Sequence, residues 1–586
     1  MLFVPSLILA ASIAAVPSPA PKPQLPAVPA VAPGYAAPKI SQPPPQVIGV
    51  TQQPFVGITL ENAIGMALAR NPDLAIAQAN RRISAYQIQA ARGAYDVNLS
   101  VLPQYQYSKQ APQNAFFASP NFGPIVQQTT SINGGAQGTL RGGQQYDVTL
   151  AGRKVNDNTT INTFDPYYPT IFSVNFAQPL GRGRSTNQAV HQLQLAQINQ
   201  AATNAQTLST VSSTIAGVQN AYWDLVSAWR SVAIQEEALK DVIAQQHSNV
   251  RLARAGASAP VDVVQVNSQI AVFQQNVFQA LQNVALLQNQ LKSQLVDNPA
   301  DPIWTANLVP TSPVLELPTQ PSLSALVTQA LGNRPEIAQL RSQLQVAAEN
   351  LAYAQNQVKP QVDLKLGYTS NGFAGQVIPP GSFFQSSAEQ VVAIDQLIAA
   401  VNRTLPPAQQ IPALPAANTP VPAYLAGGLD RSIKNLLSNR FPVYTAGVQV
   451  NFPVGNNAAK GNLGVALEQQ RIAQLQEAST IQRITADVRN ALQAYSSSIA
   501  QLEAARAARQ ASQEVLASEL RRFRAGASTT FLVLQREIEL ADNRGRELQA
   551  QTNLNKAVVQ LQQATGTILS TNNVNITTVG EGSSNQ

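Results

Sequence analysis

NQAVHQLQLAQINQAATNAQTLSTVSSTIAGVQNAYWDLVSAWRSVAIQEEALKDVIAQQHSNVRLA, residues 187–253, contains no proline and one glycine, Gly217. Rich in Ala, Gln, Leu and Val, these about 65 residues predict a single uninterrupted helix roughly 100 Å long. Leu208, Val211, Ile215, Val218, Tyr222, Leu225, Trp229 and Val232 recur at alternating steps of three and four. That 3.5-residue period requires partner helices along the whole seam. Residues 457–523 repeat the pattern: they are proline-free, and Ile481, Ile484, Val488, Ala491, Tyr495 and Leu502 stand in the same phase. The chain is an internal duplication, and this fixes its architecture before any residue has a role.

The segments before the long helices are duplicated too. Thr59–Arg92 predicts a helix with Thr59 as N-cap and a break at Asn71-Pro72, where the ring removes a donor and clashes with the preceding turn. From Ser322, residues Leu323, Leu326, Ala330, Arg334-Pro335 and Ile337 repeat Leu60, Ala63, Ala67, Asn71-Pro72 and Leu74 at one fixed offset. The break belongs to the repeat. The expected division is a secretory signal at 1–20, a proline-rich disordered leader at 21–56, a first repeat at 57–300, a linker at 301–320, a second repeat at 321–568 and a disordered tail at 569–586.

Each broken helix is followed by strand patterns. Val97, Leu99 and Val101, then Pro103, Tyr105 and Tyr107, alternate with polar residues, as do Val362, Leu364, Leu366 and Tyr368. Returning strands carry Phe172, Val174 and Phe176, and Tyr444, Ala446, Val448, Val450 and Phe452. One face is apolar with aromatic ends, the pattern of a transmembrane barrel wall. Four strands cannot close a barrel, and open edges in lipid go unsatisfied, so three copies sharing twelve strands is the smallest symmetric solution that leaves a lumen. The alternative is a soluble sandwich packed on the helices, which leaves the long helices without partners. Polar insertions at 109–168 and 373–440 separate outgoing from returning strands. The first holds another alternating run, Tyr146, Val148 and Leu150, without an evident place; in the second, Ala388–Leu405 and Ser432–Leu437 are candidate short helices.

After each long helix comes the same pentapeptide, Arg254-Ala255-Gly256-Ala257-Ser258 and Arg524-Ala525-Gly526-Ala527-Ser528, followed by a helix of about 35 residues. Two shorter helices placed end to end equal one long one at 1.5 Å per residue. Each repeat therefore supplies one continuous and one stacked column to a helical tube.

Composition removes most chemistry. Charged residues make up only 12% of the 586, there is no cysteine, and the two histidines, His191 and His247, both lie in the long helix, where a packed or solvated position is the ordinary reading. The net charge of +7 is scattered, without the basic and aromatic interleaving of a nucleic-acid surface. No GxGxxG opening a βαβ unit, Walker loop, GxSxG or HExxH is present. Gly134-Gly135 and Gly142-Gly143 read as turns, and Tyr222, Trp223 and Trp229 as core packing. No enzyme and no cofactor is expected.

Taken jointly, the duplicated order of broken helix, strand pair ending in Gln178-Pro179-Leu180 or Asn451-Phe452-Pro453, long helix, Ala-Gly turn and short helix resembles the TolC family of outer-membrane efflux and secretion ducts, from about Thr59 to Gly566. The resemblance implies a mainly α fold with membrane β: a homotrimer whose twelve strands, four per protomer, form one barrel in outer-membrane lipid and whose helices form a periplasmic tube. It implies a periplasmic adaptor and an inner-membrane pump of RND or ABC type as partners. The turns then form the periplasmic tip that meets the adaptor, with Arg254, Gly256, Ala257, Ser258, Asp262, Arg524, Gly526, Ala527 and Ser528 as docking residues. The family's Asp at the helix start is matched by Asp262; its usual basic partner is replaced by Ser528, leaving Arg524 nearest, and the aperture carboxylates are replaced by Leu532 and Gln535. Tyr105, Tyr107, Phe172, Val174, Phe176, Tyr368, Tyr444 and Phe452 are the expected lipid-facing residues. A competing reading is a non-conducting coiled-coil stalk, structural or adhesive, of the envelope.

Overall fold

The computed structural model describes residues 55–112, 123–159, 162–256, 259–312, 322–378, 382–413 and 421–574. In chain order these form β1 (Phe55–Ile58), α1 (Leu60–Arg70), α2 (Pro72–Arg92), β2 (Asn98–Gln110), β3 (Ile125–Thr139), β4 (Gln145–Asp157), β5 (Phe164–Pro179), α3 (Gln188–Arg254), α4 (Pro260–Leu295) and β6 (Asn307–Pro310). The second half continues with α5 (Leu323–Asn333), α6 (Pro335–Val358), β7 (Gln361–Val377), α7 (Ser382–Asn402), α8 (Leu429–Leu437), β8 (Phe441–Asn451), α9 (Asn457–Arg524), α10 (Thr530–Thr565) and α11 (Ile568–Thr571).

The two long helices are unbroken over 67 and 68 residues. Asn187 caps α3 by accepting from the Val190 amide at 2.9 Å. Along α3 the predicted seam is the core: Val211, Ile215, Val218, Tyr222, Leu225 and Val232 are buried. In α9 the corresponding Ile484, Val488, Ala491, Tyr495 and Leu502 are buried, while Ile481 stands exposed.

Both proline breaks occur as expected, and their geometry is the same: Asn71 and Arg334 each have φ −69°, ψ 128°. Each break receives the upper end of a lower helix. Asn71 caps α2 through its side-chain oxygen while its Nδ2 donates to the carbonyl of Gln294 at the end of α4 (3.0 Å). Gly566, the C-cap of α10 at φ +71°, lies so close to the second break that a Cβ there would meet the Asn333 carbonyl carbon at 2.9 Å. The stacked columns are thus α1, α2 and α4 with 11, 21 and 36 residues, and α5, α6 and α10 with 11, 24 and 36. Each spans about the length of one long helix.

Between the broken and long helices sits a belt absent from the sequence reading. β1 and β6 pair in parallel, the first across the expected boundary between leader and first repeat and the second inside the expected linker. They are held by the aromatic centre of α3: the Tyr222 hydroxyl donates to the Ile58 carbonyl (3.1 Å) and accepts from the Thr311 and Ser312 amides (3.2 and 2.9 Å). Trp229 Nε1 donates to the Leu308 carbonyl at 2.9 Å. Tyr222 and Trp223 are fully buried.

The sheet corrects the expected strand number. Among the described residues it has six antiparallel strands in the order β2-β3-β4-β5-β7-β8, where four were expected. The additional pair is the β3–β4 hairpin, formed within the insertion read as polar loop. Residues 140–144 turn it, with Gly143 at φ +79° packed so tightly that a Cβ would meet the Gly183 carbonyl oxygen at 2.2 Å. Gly142-Gly143 is thus a turn as read, whereas Gly134-Gly135 lies inside β3.

Replacing Tyr222 with Phe removes its bond to the Ile58 carbonyl and leaves the half-buried Ser312 amide without its acceptor, while the Thr311 amide keeps the Ile58 carbonyl at 3.0 Å; the loss is about 1–3 kcal/mol. The expected outcome is a lowered urea midpoint and faster amide exchange confined first to residues 55–58 and 307–312; unchanged exchange there would contradict the anchoring role.

Candidate functional site: the sheet wall and the helical tip

Register places the strand residues on two faces. Tyr105 pairs with Thr130, Val148 with Val174, Phe172 with Ser370, and Tyr368 with Tyr444. Because side chains alternate, one face carries Leu99, Val101, Tyr105 and Tyr107 of β2, Ile132 and Ala136 of β3, Tyr146, Val148 and Leu150 of β4, Phe172, Val174 and Phe176 of β5, Leu364, Leu366 and Tyr368 of β7, and Tyr444, Ala446, Val448 and Val450 of β8. Phe452 follows one residue beyond β8 at the same parity and is exposed. The other face is polar, with Gln104, Thr129, Asn133, Asp147, Thr149, Ser173, Asn175, Lys365 and Gln449. The unplaced run Tyr146, Val148 and Leu150 therefore belongs to the apolar face, in register with β5. Leu99, Val101, Tyr105, Ile132, Leu150, Tyr444, Val448 and Val450 are all exposed. Such an extent of exposed apolar surface marks contact with a partner or lipid.

At the opposite end of the helices lie the repeated turns. Gly256 and Gly526 adopt φ +73° and +72° with open space around them, so it is the left-handed backbone that favours glycine there. Arg254 and Arg524 are the last residues of α3 and α9. The Ala527 amide donates to the Arg522 carbonyl (2.9 Å), and the Ser528 hydroxyl donates to Glu519 Oε1. Asp262 accepts from the Ala259 amide at 3.2 Å, closing the first turn of α4. Ala257 and Ser258 lie outside the described residues. Leu532 and Gln535 are exposed on α10, the former's amide bonded to Thr529 Oγ1.

Above this tip the seam between α3 and α10 changes character. Gln245 donates to Asn249 Oδ1 (3.1 Å), and Asn249 donates to Thr530 Oγ1 (3.2 Å), all three residues buried. Two turns further along α10, Glu537 is only 8% exposed and its Oε2 has no hydrogen-bond partner among the described residues. Burial, reinforced by the Asp241 carboxylate, pushes its pKa up to about 7. No sequence signal identified this group, because its burial depends on a helix almost 300 positions away. His191, by contrast, is consumed in packing: its ring stacks on Tyr353 at 4.2 Å and its Nδ1 lies 3.1 Å from Glu349. Among the described residues no cluster of His, Cys, Asp or Glu is arranged to hold a metal ion, and no helix is long and apolar enough to cross a membrane.

A duplicated helical hairpin with a broken stacked column, topped by an antiparallel sheet with one apolar face, defines a TolC-like fold. Residues 425–567 match the sequence profile of a family described as outer membrane efflux protein. Among solved structures, the chain is similar to the outer membrane protein VceC of Vibrio cholerae (15% identity, 86% of this chain and 96% of that one, TM-score 0.57). It is also similar to the Campylobacter jejuni CmeC outer membrane channel (13%, 89% and 89%, 0.58) and to the open state of the Neisseria gonorrhoeae MtrE outer membrane channel (17%, 86% and 88%, 0.54). No curated protein sequence matches. The chain thus resembles the outer membrane efflux protein family over residues 425–567 and has, across most of its length, the fold of these channels.

The raised pKa of Glu537 has a stability consequence. A carboxyl that ionises at higher pH in the folded chain than its ordinary 4.5 favours folding below that value, and the contribution is lost as pH rises towards 7. Glu537→Gln is expected to stabilise the fold at pH 8 by up to about 3 kcal/mol and to have little effect at pH 4.5. Urea unfolding at the two pH values checks this; an equal effect at both would show that Glu537 does not titrate as described.

Proposed function

We propose that the chain is a passive exit duct of the outer membrane, in which three copies close one barrel and hang a helical tube into the periplasm. The observation that carries this reading is the sheet, apolar on one face of β2, β4, β5, β7 and β8 with mostly small residues on the same face of β3, and ending on two strands, β2 and β8, with no further partner among the described residues. In hydrocarbon an open edge leaves backbone groups unsatisfied at several kcal/mol each. About eight strands make the smallest barrels, so six in one chain must be shared with others. Three copies, the number the resemblance implies, give three times six, or eighteen strands. Diameter grows roughly linearly with strand number, so the barrel is about half as wide again as a twelve-stranded one. The extra width comes from the β3–β4 hairpin, whose inner face of Thr129, Asn133, Asp147 and Thr149 suits a water-filled lumen.

The duct contributes no reacting group in this reading. Solutes arrive from an inner-membrane pump of RND or ABC type through a periplasmic adaptor seated on the repeated turns. The small residues beside Gly256 and Gly526 permit close approach of an adaptor hairpin, and the polar seam of Gln245, Asn249, Thr530 and Glu537 lets α3 and α10 part with less exposure of apolar surface than the seam at the belt. A non-conducting stalk, in contrast, has to leave the apolar sheet face in water.

Reconstituted in a planar bilayer, the protein is expected to conduct, and its detergent-solubilised mass to equal three chains; a soluble, silent single-chain particle would falsify the proposal. The hairpin's place in the wall has its own test. Val148→Arg, on the outer face, is expected to block insertion, at about 2–4 kcal/mol near the midplane. Thr149→Arg, on the inner face, is expected to assemble normally and shift ion selectivity towards anions. Equal tolerance of both would place β3–β4 outside the barrel wall.

A further inference from the structure

Helix α8 is built inside out. Its buried side is Ser432, Asn435 and Leu436, two of the three polar, and the contacts made there are hydrogen bonds. Ser432 Oγ meets Thr170 Oγ1 at 2.9 Å, Ser370 Oγ donates to the Leu436 carbonyl (2.7 Å), and Asn435 Nδ2 donates to the carbonyls of Phe373 and Tyr424 (2.8 and 2.7 Å). Its outward side is a stripe at four-residue spacing, Leu429, Ile433 and Leu437, all exposed, the last at 79%. A nine-residue helix on a water-facing surface has the reverse arrangement.

The position of α8 gives the stripe its meaning. Thr170, Ser370 and Gly372 share the parity of Phe172, Val174 and Tyr368, so α8 lies on the apolar face of the sheet. Gly372 permits the approach: a Cβ there would meet the Ser432 carbonyl oxygen at 2.2 Å. The helix covers the ends of β5 and β7 remote from α3 and α6, the end away from the tube. Aromatic residues gather beside it, with Tyr424 against Phe441 at 6.5 Å and Tyr368 against Tyr444 at 5.4 Å, as at a membrane–water boundary. The charges there are mainly basic. Arg431, Lys434 and Arg440 accompany a single acid, Asp430, and Arg440 lies 4.3 Å over the Tyr424 ring.

From this geometry we infer that α8 is an interfacial clasp, its Leu429, Ile433 and Leu437 stripe seated at the acyl boundary of the outer leaflet and its Arg431, Lys434 and Arg440 on phosphate-bearing lipid headgroups. The inference rests on the barrel reading above and adds to it a specific lipid-binding surface. A basic, apolar-faced helix binds anionic interfaces through the sum of buried area and charge attraction. Continuity with the apolar wall and the sign of the charge select lipid over a protein partner.

The chain has no cysteine, so Leu437→Cys, at an exposed helix end, takes a single environment-sensitive label, with Ile433→Cys as a second position. The labelled protein is reconstituted in phosphatidylcholine vesicles with and without phosphatidylglycerol, and conductance is recorded on the same preparation. The expected result is quenching by a phosphatidylcholine carrying a nitroxide near its headgroup, and not by aqueous iodide. Arg431→Gln, Lys434→Gln and Arg440→Gln together should abolish a several-fold enrichment of phosphatidylglycerol around the protein while leaving conductance intact. Quenching by iodide in a conducting sample overturns the clasp but not the duct. Protection from both quenchers also overturns it, by showing that a second copy covers the stripe. Lack of conductance in every preparation removes the duct reading itself.

Discussion

Backbone hydrogen bonding at the two edges of one sheet governs the rest of this molecule. Among the described residues, β3, β4, β5 and β7 have a neighbour on each side, but β2 and β8 each have only one. An exposed edge in water is an aggregation liability that short strands and charges can blunt. These edges are long, 13 and 11 residues, and their outward side chains include Leu99, Val101, Val448 and Val450. In the proposed assembly another copy pairs with them, and the position of every helix below is then constrained, because β2, β5, β7 and β8 each continue at their base towards a helix.

The helical part solves a matching problem. Each set of strands, four in the first repeat and two in the second, leads into one long helix and is preceded by a short one, so columns of even depth require a second short helix beneath the first. The proline breaks at Asn71-Pro72 and Arg334-Pro335 end α1 and α5 where α4 and α10 arrive from below. Asn71 satisfies the arriving end directly, its amide donating to the Gln294 carbonyl. Arg334 works differently, holding Glu336 and Asp487 at 3.1 and 3.0 Å, which ties the second break to α9. The same architectural need is thus met once by a neutral cap and once by an ion pair, showing that the duplication preserves geometry more strictly than chemistry.

Whatever depends on local periodicity could be read from the sequence: the two long seams, the breaks, the glycine turns and the outward residues of β2, β5, β7 and β8. The added hairpin escaped because the outward positions of β3 include Gly134, Ala136 and Gly138, which carry almost no apolar contrast, so the clear alternation of Tyr146, Val148 and Leu150 was left without a visible partner. β1 and β6 are four residues each and gain their order from Tyr222 and Trp229, over 70 positions away. Glu537 and the inverted polarity of α8 are tertiary facts. A polar face on a short helix reads as solvent-facing until the surface beneath it is known, and here the buried hydroxyls of Ser370 and Thr170 supply that surface.

Polarity along the tube follows from what each level has to do. At the belt, α3 buries Tyr222, Trp223 and Leu225 against β1 and β6, and aromatic packing of that kind is costly to separate. Near the tip the same helix meets α10 through Asn249, itself held by Gln245, and its bond to Thr530 can be exchanged for bonds to water at a net cost of about 1 kcal/mol. The buried Glu537 carboxyl, whose Oε2 has no hydrogen-bond partner among the described residues, makes that lower seam weaker still when it ionises. In the proposed duct the rigid level therefore lies where the tube joins the sheet, and the level able to open lies where it ends, so opening need not disturb the strand pairing on which the barrel depends.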